Sequence, residues 1–179
     1  MRDSVEVNFK HIRDLAHSLD GLAGQATASE RRTRNELAGM FSVTIVATYE
    51  GIIKETLVDY SGRFHPKFQA HVENDLAKTN AKIRWDDLRN YATKFGLAEW
   101  NDPASQKKKT IYDRLLKENR DVVERRFRKD LKGSYNNLFK WRNDYAHERL
   151  TSATFKDVYD AHRIAQYVIR TFVKAFDQG

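Results

Sequence analysis

Residues 37–58, LAGMFSVTIVATYEGIIKETLV, form the most apolar stretch of the chain and decide its fold. Apolar residues recur there at three- and four-residue steps, and before Glu50 they cover most sides of a helix. We expect this helix to start near Ser29, whose hydroxyl can cap free backbone amides, and to run through Met40 to Leu57. A helix that is apolar on most sides has neighbours all around it, so the stretch predicts the central helix of a bundle.

Helical periodicity predicts six further helices on either side of this stretch. Five of them are expected over about 5–22, 66–79, 85–95, 110–131 and 154–176, and the sixth starts after Ser134 and contains Tyr135 to Trp141. We expect Gly133 to end the helix 110–131 and Ser134 to cap the helix that follows. The apolar stripe of the helix 110–131 is expected at Ile111, Leu115, Val122 and Phe127.

No stretch of the chain predicts a strand, and eight glycines and two prolines are few for a chain of 179 residues. Residues 101–109 are a polar break and are expected to form a flexible loop. The sequence therefore predicts one all-α domain over residues 1–179, a bundle of long helices with short helices inserted between them.

Composition excludes several classes of protein. Cysteine is absent, which rules out disulfides, a thiol nucleophile and cysteine-based metal sites. The six histidines include no pair three or four residues apart, so we expect neither a metal nor a cofactor. Glu50, Lys54 and Glu55 interrupt the apolar stretch, and the first residues are charged, so the sequence predicts no membrane span and no signal peptide. Cytoplasmic localisation is the expectation.

The positive charge of the chain is concentrated in residues 103–142. This basic segment holds 13 basic and five acidic residues, a net charge of +8, whereas the other 139 residues carry −1. Clustered cations attract a polyanion through phosphate neutralisation and counterion release, although a solvated helix face has the same pattern. The candidate RNA-binding residues are Lys107, Lys108, Lys109, Arg125, Arg126, Arg128 and Lys129.

The segment 141–149, WRNDYAHER, resembles the Arg-x4-6-His motif of the HEPN superfamily, with Arg142 followed after four residues by His147. Its local form, Arg-Asn-x-x-Ala-His before a long final helix, is similar to that of prokaryotic HEPN ribonucleases of toxin and antiviral systems. Residues 47–55, ATYEGIIKE, also resemble the core helix of that family with its inward polar residue. The resemblance implies a HEPN-like helical bundle and leaves the short helices between 66 and 109 without a counterpart.

The resemblance further implies a metal-independent endoribonuclease that cleaves RNA at a composite site in a homodimer, with Arg142 and His147 as catalytic residues. A toxin or antiviral setting, with an antitoxin or another defence-system partner protein, is implied in the same way. Asn143 is a supporting residue that holds the phosphate, orients Arg142 or caps the helix end. Glu50 either orients the Arg/His pair or is an ordinary exposed acid.

Arginine and histidine suffice chemically for cutting RNA, because the ribose 2′-hydroxyl is the nucleophile. Histidine titrates near neutrality and can move the proton, while arginine stays charged and can meet two phosphate oxygens. Five residues subtend about 500° of a helix, about 140° beyond one turn, so an unbroken helix does not aim Arg142 and His147 at one phosphate. We therefore expect the helix to end near 145–147.

Other interpretations remain open at this point. His147 can bond a terminal carbonyl, and Arg142 can form a surface ion pair with Asp144 or Glu148. The chain can equally be a non-catalytic HEPN module that binds RNA or a partner such as a nucleotidyltransferase or an ATPase. A basic helical DNA-binding protein is a weaker alternative, since no helix-turn-helix pattern is present. Aromatic residues at helical spacing, namely Trp85, Tyr91, Trp100 and Trp141, are expected in the core rather than stacked on bases.

Overall fold

The computed structural model describes residues 2–22, 27–78, 82–97, 99–101, 108–149 and 151–179. Within these ranges the chain forms seven helices and one two-stranded hairpin. The elements are α1 (Arg2–Asp20), α2 (Ala28–Gly62), α3 (Pro66–Lys78), α4 (Trp85–Lys94), β1 (Glu99–Asn101), β2 (Lys108–Thr110), α5 (Ile111–Phe127), α6 (Leu131–Glu148) and α7 (Phe155–Gln178). The predicted all-α bundle is confirmed.

The core of the bundle is built on α2, as its apolar sequence predicts. α2, α6 and α7 pack against one another, α1 and α3 pack against α2, and α5 packs against α7. Two details of α2 differ from the prediction. Its cap is Thr27, whose hydroxyl accepts the Glu30 amide while the Glu30 carboxylate accepts the Thr27 amide, so Ser29 lies inside the first turn. Met40 is 53% exposed rather than buried.

A buried polar pair joins α2 to α7 at the centre of the core. The Tyr49 hydroxyl and Nδ1 of His162 lie 2.9 Å apart, and both residues are buried. Burial, assisted by the positive charge of Arg170, lowers the pKa of His162 to about 3, because a charged imidazole loses its hydration there. His162 is therefore neutral at physiological pH and belongs to the core.

The observed end of α5 and start of α6 differ from the predicted bounds of these helices. α5 ends at Phe127, and Arg128 adopts a left-handed conformation with φ 55°. Asp130 is the cap of α6, because its carboxylate accepts the amides of Lys132 and Gly133 at 3.1 and 2.9 Å. A Cβ on Gly133 would lie 2.6 Å from that carboxylate, so Gly133 makes room for the cap instead of ending a helix.

Three further expectations, for α6, α5 and the polar break before α5, are wrong. Ser134 does not cap α6; it lies in the first turn and donates to the Asp130 carbonyl. The buried face of α5 includes Val123, whereas the predicted Val122 is 37% exposed. The apolar face is therefore turned slightly around the helix axis from its predicted position. The polar break contains a short antiparallel hairpin, in which β1 pairs with β2 from Glu99–Thr110 to Asn101–Lys108. Residues 102–107 of the predicted loop lie outside the described residues.

Among the described helices, α2 alone is long and apolar enough to cross a membrane by length and composition. Half of its most apolar window is buried inside the bundle. A core helix of a soluble protein meets the same two criteria, so the finding gives only weak support for a span.

Candidate active site around Arg142

An open cavity of about 520 Å³ lies where α2 and α6 meet the segment that leads into α4. We call it the α2–α6 pocket. Its lining residues are Val46, Glu50, Lys82, Ile83, Arg84, Asp87, Phe139, Arg142 and Asn143. Three cations and two acids among them give the lining a formal charge of +1. Three of the four predicted site residues, Glu50, Arg142 and Asn143, therefore lie at one cavity.

Arg142 is half-buried and is held by its sequence neighbour. Its Nη1 donates a hydrogen bond to Oδ1 of Asn143 at 3.0 Å. Asn143 lies two turns or less from the end of α6 but does not cap it, since Arg149 occupies the cap position. No ion pair joins Arg142 to Asp144, Glu148 or any other acid that the structure describes. The guanidinium therefore keeps donors available on the pocket side.

His147 is exposed, and the expected helix end before it is absent. α6 continues to Glu148, because the left-handed Arg149 donates its amide to the Tyr145 carbonyl and closes the helix only there. Arg142 and His147 consequently point about 140° apart from one rigid helix. His147 follows Asn143 by one turn, about 40° further around the axis, so it lies beyond the rim of the pocket and does not line it.

The same end of α6 is fixed to α2 by a close contact between Tyr145 and Gly39. A methyl group on Gly39 would overlap the Tyr145 ring, so only glycine allows the two helices to approach this closely. Arg142, Asn143 and His147 thus share a helix whose position relative to α2 is well defined.

Glu50 is half-buried in α2 and lines the pocket. It makes no hydrogen bond or ion pair with Arg142; within the described residues, the contact of Arg142 is Asn143. Burial is the main cause that raises the pKa of Tyr135 well above its usual value, and the negative charge of Glu50 contributes a smaller part of that rise. Glu50 therefore lines the same pocket as Arg142 without a hydrogen bond or ion pair to it in the described structure, and its supporting role stays a prediction.

Sequence reasoning missed two cations of the pocket, Lys82 and Arg84. They flank the buried Ile83 in the extended segment before α4, and both are exposed. Lys82 and Arg84 lie outside the basic segment 103–142, and the pocket forms only in the folded chain. The sequence contains one hint of their shared position, the alternation Lys-Ile-Arg ahead of Trp85, since alternate residues of an extended segment lie on the same side.

Four predicted RNA-binding residues form what we call the basic turn: Arg125, Arg126, Arg128 and Lys129. All four are exposed at the end of α5 and in the connection to α6. Arg128 and Lys129 border a separate cavity of about 410 Å³. Along the α6 axis, the start of the helix and Arg142 are about 17 Å apart, so the basic turn and the α2–α6 pocket are distinct places.

The remaining predicted RNA-binding residues are the three lysines before α5. Lys109 borders a cavity of about 190 Å³ together with Arg89 and Lys117. Lys107 and the side chain of Lys108 lie outside the described part of the chain.

The aromatic residues mostly follow the expectation of a core role. Trp85 is 7% exposed and packs edge-on against Tyr135, with centroids 6.1 Å apart. Tyr91 and Trp141 are half-buried and pack against the core. The side chain of Trp100 lies outside the described residues. In the described ranges, no group of three or more histidine, aspartate or glutamate residues could hold a metal ion.

Comparison with known protein families defines the class of this bundle. A family model described as RiboL-PSP-HEPN matches residues 6–178, which identifies an all-α domain of the HEPN superfamily. Because the match covers nearly the whole chain, the protein belongs to the RiboL-PSP-HEPN family. Comparison with curated proteins and with solved structures gives no match. The superfamily resemblance seen in the sequence is thereby confirmed.

Proposed function

We propose that the protein is a metal-independent endoribonuclease that cleaves RNA by attack of a 2′-hydroxyl on the adjacent phosphate. The observation that carries this proposal is the position of Arg142, which lines a cationic pocket in a HEPN-family bundle with a neighbouring amide that orients it. RNA supplies its own nucleophile, so the protein has to provide only a cation, an acid and a base.

Arg142 is the residue suited to the developing negative charge. A guanidinium stays protonated, presents several donors in one plane and can contact two phosphoryl oxygens. The hydrogen bond to Asn143 restrains its orientation before substrate arrives, which lowers the entropic cost of forming the transition state. Asn143 is in this proposal a positioning residue.

His147 supplies the proton transfers. A base takes the proton of the 2′-hydroxyl as its oxygen bonds to phosphorus, and an acid gives a proton to the departing 5′-oxygen as the P–O bond breaks. The products are a 2′,3′-cyclic phosphate and a 5′-hydroxyl. His147 is exposed, so it is accessible to a substrate that extends from the pocket over the surface of α6.

A homodimer supports this chemistry better than a single chain. The angle of about 140° between Arg142 and His147 on the unbroken helix keeps one copy of the pair from flanking a single phosphorus atom. A two-fold axis beside α6 presents the same residues from the other side. We therefore propose a composite site in which each protomer contributes to each cleavage.

The biological setting is proposed on the family resemblance alone. HEPN ribonucleases of similar local sequence act in prokaryotic toxin and antiviral systems, so we propose a cytoplasmic protein controlled by an antitoxin or another defence-system partner. Unchecked ribonuclease activity harms the cell that makes it, which is the physical reason to expect such a partner.

A second candidate function is a HEPN module without catalytic activity that binds RNA or a partner protein. The observation that favours it is the exposure of His147 outside the lining of the pocket, with no hydrogen-bond partner among the described residues. Such a module binds RNA with strong salt dependence and leaves it intact.

Cleavage of single-stranded RNA in EDTA separates the two candidates. The purified protein is expected to yield 2′,3′-cyclic phosphate ends, and His147→Ala to lower the single-turnover rate about 10²- to 10⁴-fold, the usual range for general acid–base catalysis. His11→Ala, which removes an exposed histidine from α1, is the matched control and should leave the rate unchanged. Intact RNA with the wild-type protein, or an undiminished rate in His147→Ala, rules out the catalytic proposal.

A further inference from the structure

The segment 82–87 contributes two cations and one acid to the lining of the α2–α6 pocket. Its two outward cations, Lys82 and Arg84, lie on the same side of the extended backbone because the buried Ile83 separates them. Within the described part of the chain, neither side chain forms an ion pair. Both line the same pocket as Arg142.

The backbone that carries the two cations is firmly anchored. The Tyr135 hydroxyl donates to the Ile83 carbonyl at 2.5 Å, and the Arg84 amide donates to Oδ2 of Asp87 at 3.0 Å. Trp85, the next residue, is buried against Tyr135. Because the backbone is anchored, the segment itself does not have to be ordered when its two cations bind an anion.

The rest of the pocket fits one nucleotide. Its volume of about 520 Å³ lies within the range of about 300–1,000 Å³ that is usual for ligand sites. The lining also includes the buried apolar residues Val46 and Ile83 and the half-buried aromatic ring of Phe139. A lining that combines cations, apolar side chains and an aromatic ring suits a phosphate with its attached nucleoside.

We propose that Lys82 and Arg84 form a phosphate-binding subsite that holds the RNA phosphate next to the one contacted by Arg142. This inference rests on the proposed function, and it assigns the inserted segment before α4 to substrate binding. Because all three cations line one pocket, a strand with one phosphate at Arg142 can place a neighbouring phosphate at Lys82 and Arg84, and contacts to two phosphates fix the position and direction of the strand. Lys82 and Arg84 act as binding residues and do not take part in the proton transfers.

Binding of a fluorescent single-stranded RNA over a range of salt concentrations tests the subsite without requiring cleavage. The double variant Lys82→Ala/Arg84→Ala is expected to bind about tenfold more weakly, and its salt dependence should be shallower by about 0.7 for each phosphate that is no longer neutralised. The matched control Lys10→Ala/Arg13→Ala removes the same charges from the exposed face of α1 and should change affinity less than about twofold. Both double variants replace exposed side chains, so both should retain the fold, and their thermal unfolding is measured to check this.

The outcomes distinguish this inference from the proposed function. Weaker binding in the pocket variant alone supports the subsite, even where the wild-type protein leaves RNA intact and the ribonuclease proposal fails. Equal binding by the two double variants, or no RNA binding by the wild-type protein, overturns the subsite, even where the wild-type protein cleaves. In the active protein, the pocket variant should raise KM about tenfold and leave kcat within about twofold, whereas His147→Ala lowers kcat.

Discussion

The α2–α6 pocket and the basic turn are both rich in positive charge, but they are built differently. In the pocket, the cations project from a backbone tied to the core through Tyr135, and Arg142 is oriented by Asn143. In the basic turn, the side chains extend into solvent; Arg126 lies over the Phe127 ring at 5.4 Å, and Arg125 bonds a carbonyl of its own helix. The pocket therefore gathers three cations from two separate segments around one cavity, whereas the basic turn carries its cations along one continuous exposed stretch.

This difference shows that charge density and charge placement are separate properties. A mobile surface cation contributes to long-range attraction of a polyanion, and this contribution is screened by salt. A cation held at a fixed position stabilises charge that appears at one point in space, which is the requirement for catalysis. Substitutions in the pocket, in the core beneath it and in the basic turn test whether the two regions differ in this way.

The largest expected effect is the loss of a single arginine from the pocket. Arg142→Ala should lower the rate of RNA cleavage about 10²- to 10³-fold, the usual cost of removing one preorganised donor at a transition state. Arg125→Ala, which removes an arginine of the basic turn, should raise KM less than about threefold and leave kcat unchanged. Steady-state kinetics on one RNA substrate measures both. Equal reductions in the two variants would mean that bulk charge, and not placement, drives the reaction.

The next effect is the pH dependence of stability that His162 confers on the core beneath the pocket. The pKa of His162 is about 3 in the folded protein and about 6.5 in an unfolded chain. The unfolded chain therefore binds the extra proton between these values, so stability is full above pH 6.5 and falls as the pH falls through that window. At pH 4 the loss is about 3 kcal/mol.

Denaturant titrations at pH 7 and pH 4 measure this loss. His162→Gln keeps a side chain that can bond Tyr49 but does not titrate, so the part of the pH slope due to His162 should disappear in that variant. An unchanged slope in His162→Gln would contradict the assignment of the slope to the core beneath the pocket.

The smallest effect concerns the hydrogen bond that links the pocket segment at Ile83 to Tyr135 in the core. Tyr135→Phe removes the hydrogen bond to the Ile83 carbonyl and should lower the free energy of unfolding by about 2 kcal/mol, because a carbonyl at a buried residue loses its partner. Tyr112→Phe is the matched control, since the buried Tyr112 hydroxyl has no hydrogen-bond partner among the described residues. Its change should stay within about 0.5 kcal/mol or be stabilising. A similar loss in the free energy of unfolding of both variants would show that the hydrogen bond to Ile83 makes no specific contribution to stability.

Much of the fold could be predicted from the sequence, because apolar periodicity reports burial directly. The starts of α3 and α4 at Pro66 and Trp85, and the central position of α2, all follow from it. Helix caps were less predictable: Ser29 and Ser134 have suitable side chains, but Thr27 and Asp130 form the bonds. Several residues near a helix start can cap it, and the choice depends on backbone conformation.

The hairpin and the rotation of α5 could not be predicted for related reasons. Strands of three residues are too short to show an alternating pattern, and β2 consists of Lys108, Lys109 and Thr110. In α5, neighbouring valines at 122 and 123 are equally apolar, so only the packing against α7 selects which one is buried.

The candidate site was predictable only in its local part. Arg142, Asn143 and His147 lie within six residues of one another, so a short motif could indicate them, and Glu50 follows from its place in the apolar helix. Lys82 and Arg84 come from a segment about 60 residues away. Their role depends on the tertiary contact between Ile83 and Tyr135, which no local pattern contains.

Two helices end at an arginine in the left-handed conformation, α5 at Arg128 with φ 55° and α6 at Arg149 with φ 54°. A glycine adopts this conformation without a side-chain penalty, whereas another residue loses about 1–2 kcal/mol of conformational energy there. Each helix end therefore carries a positive charge at a conformational cost. A glycine at position 149 should accordingly stabilise α6, the helix that carries Arg142, and a glycine at position 128 should stabilise α5.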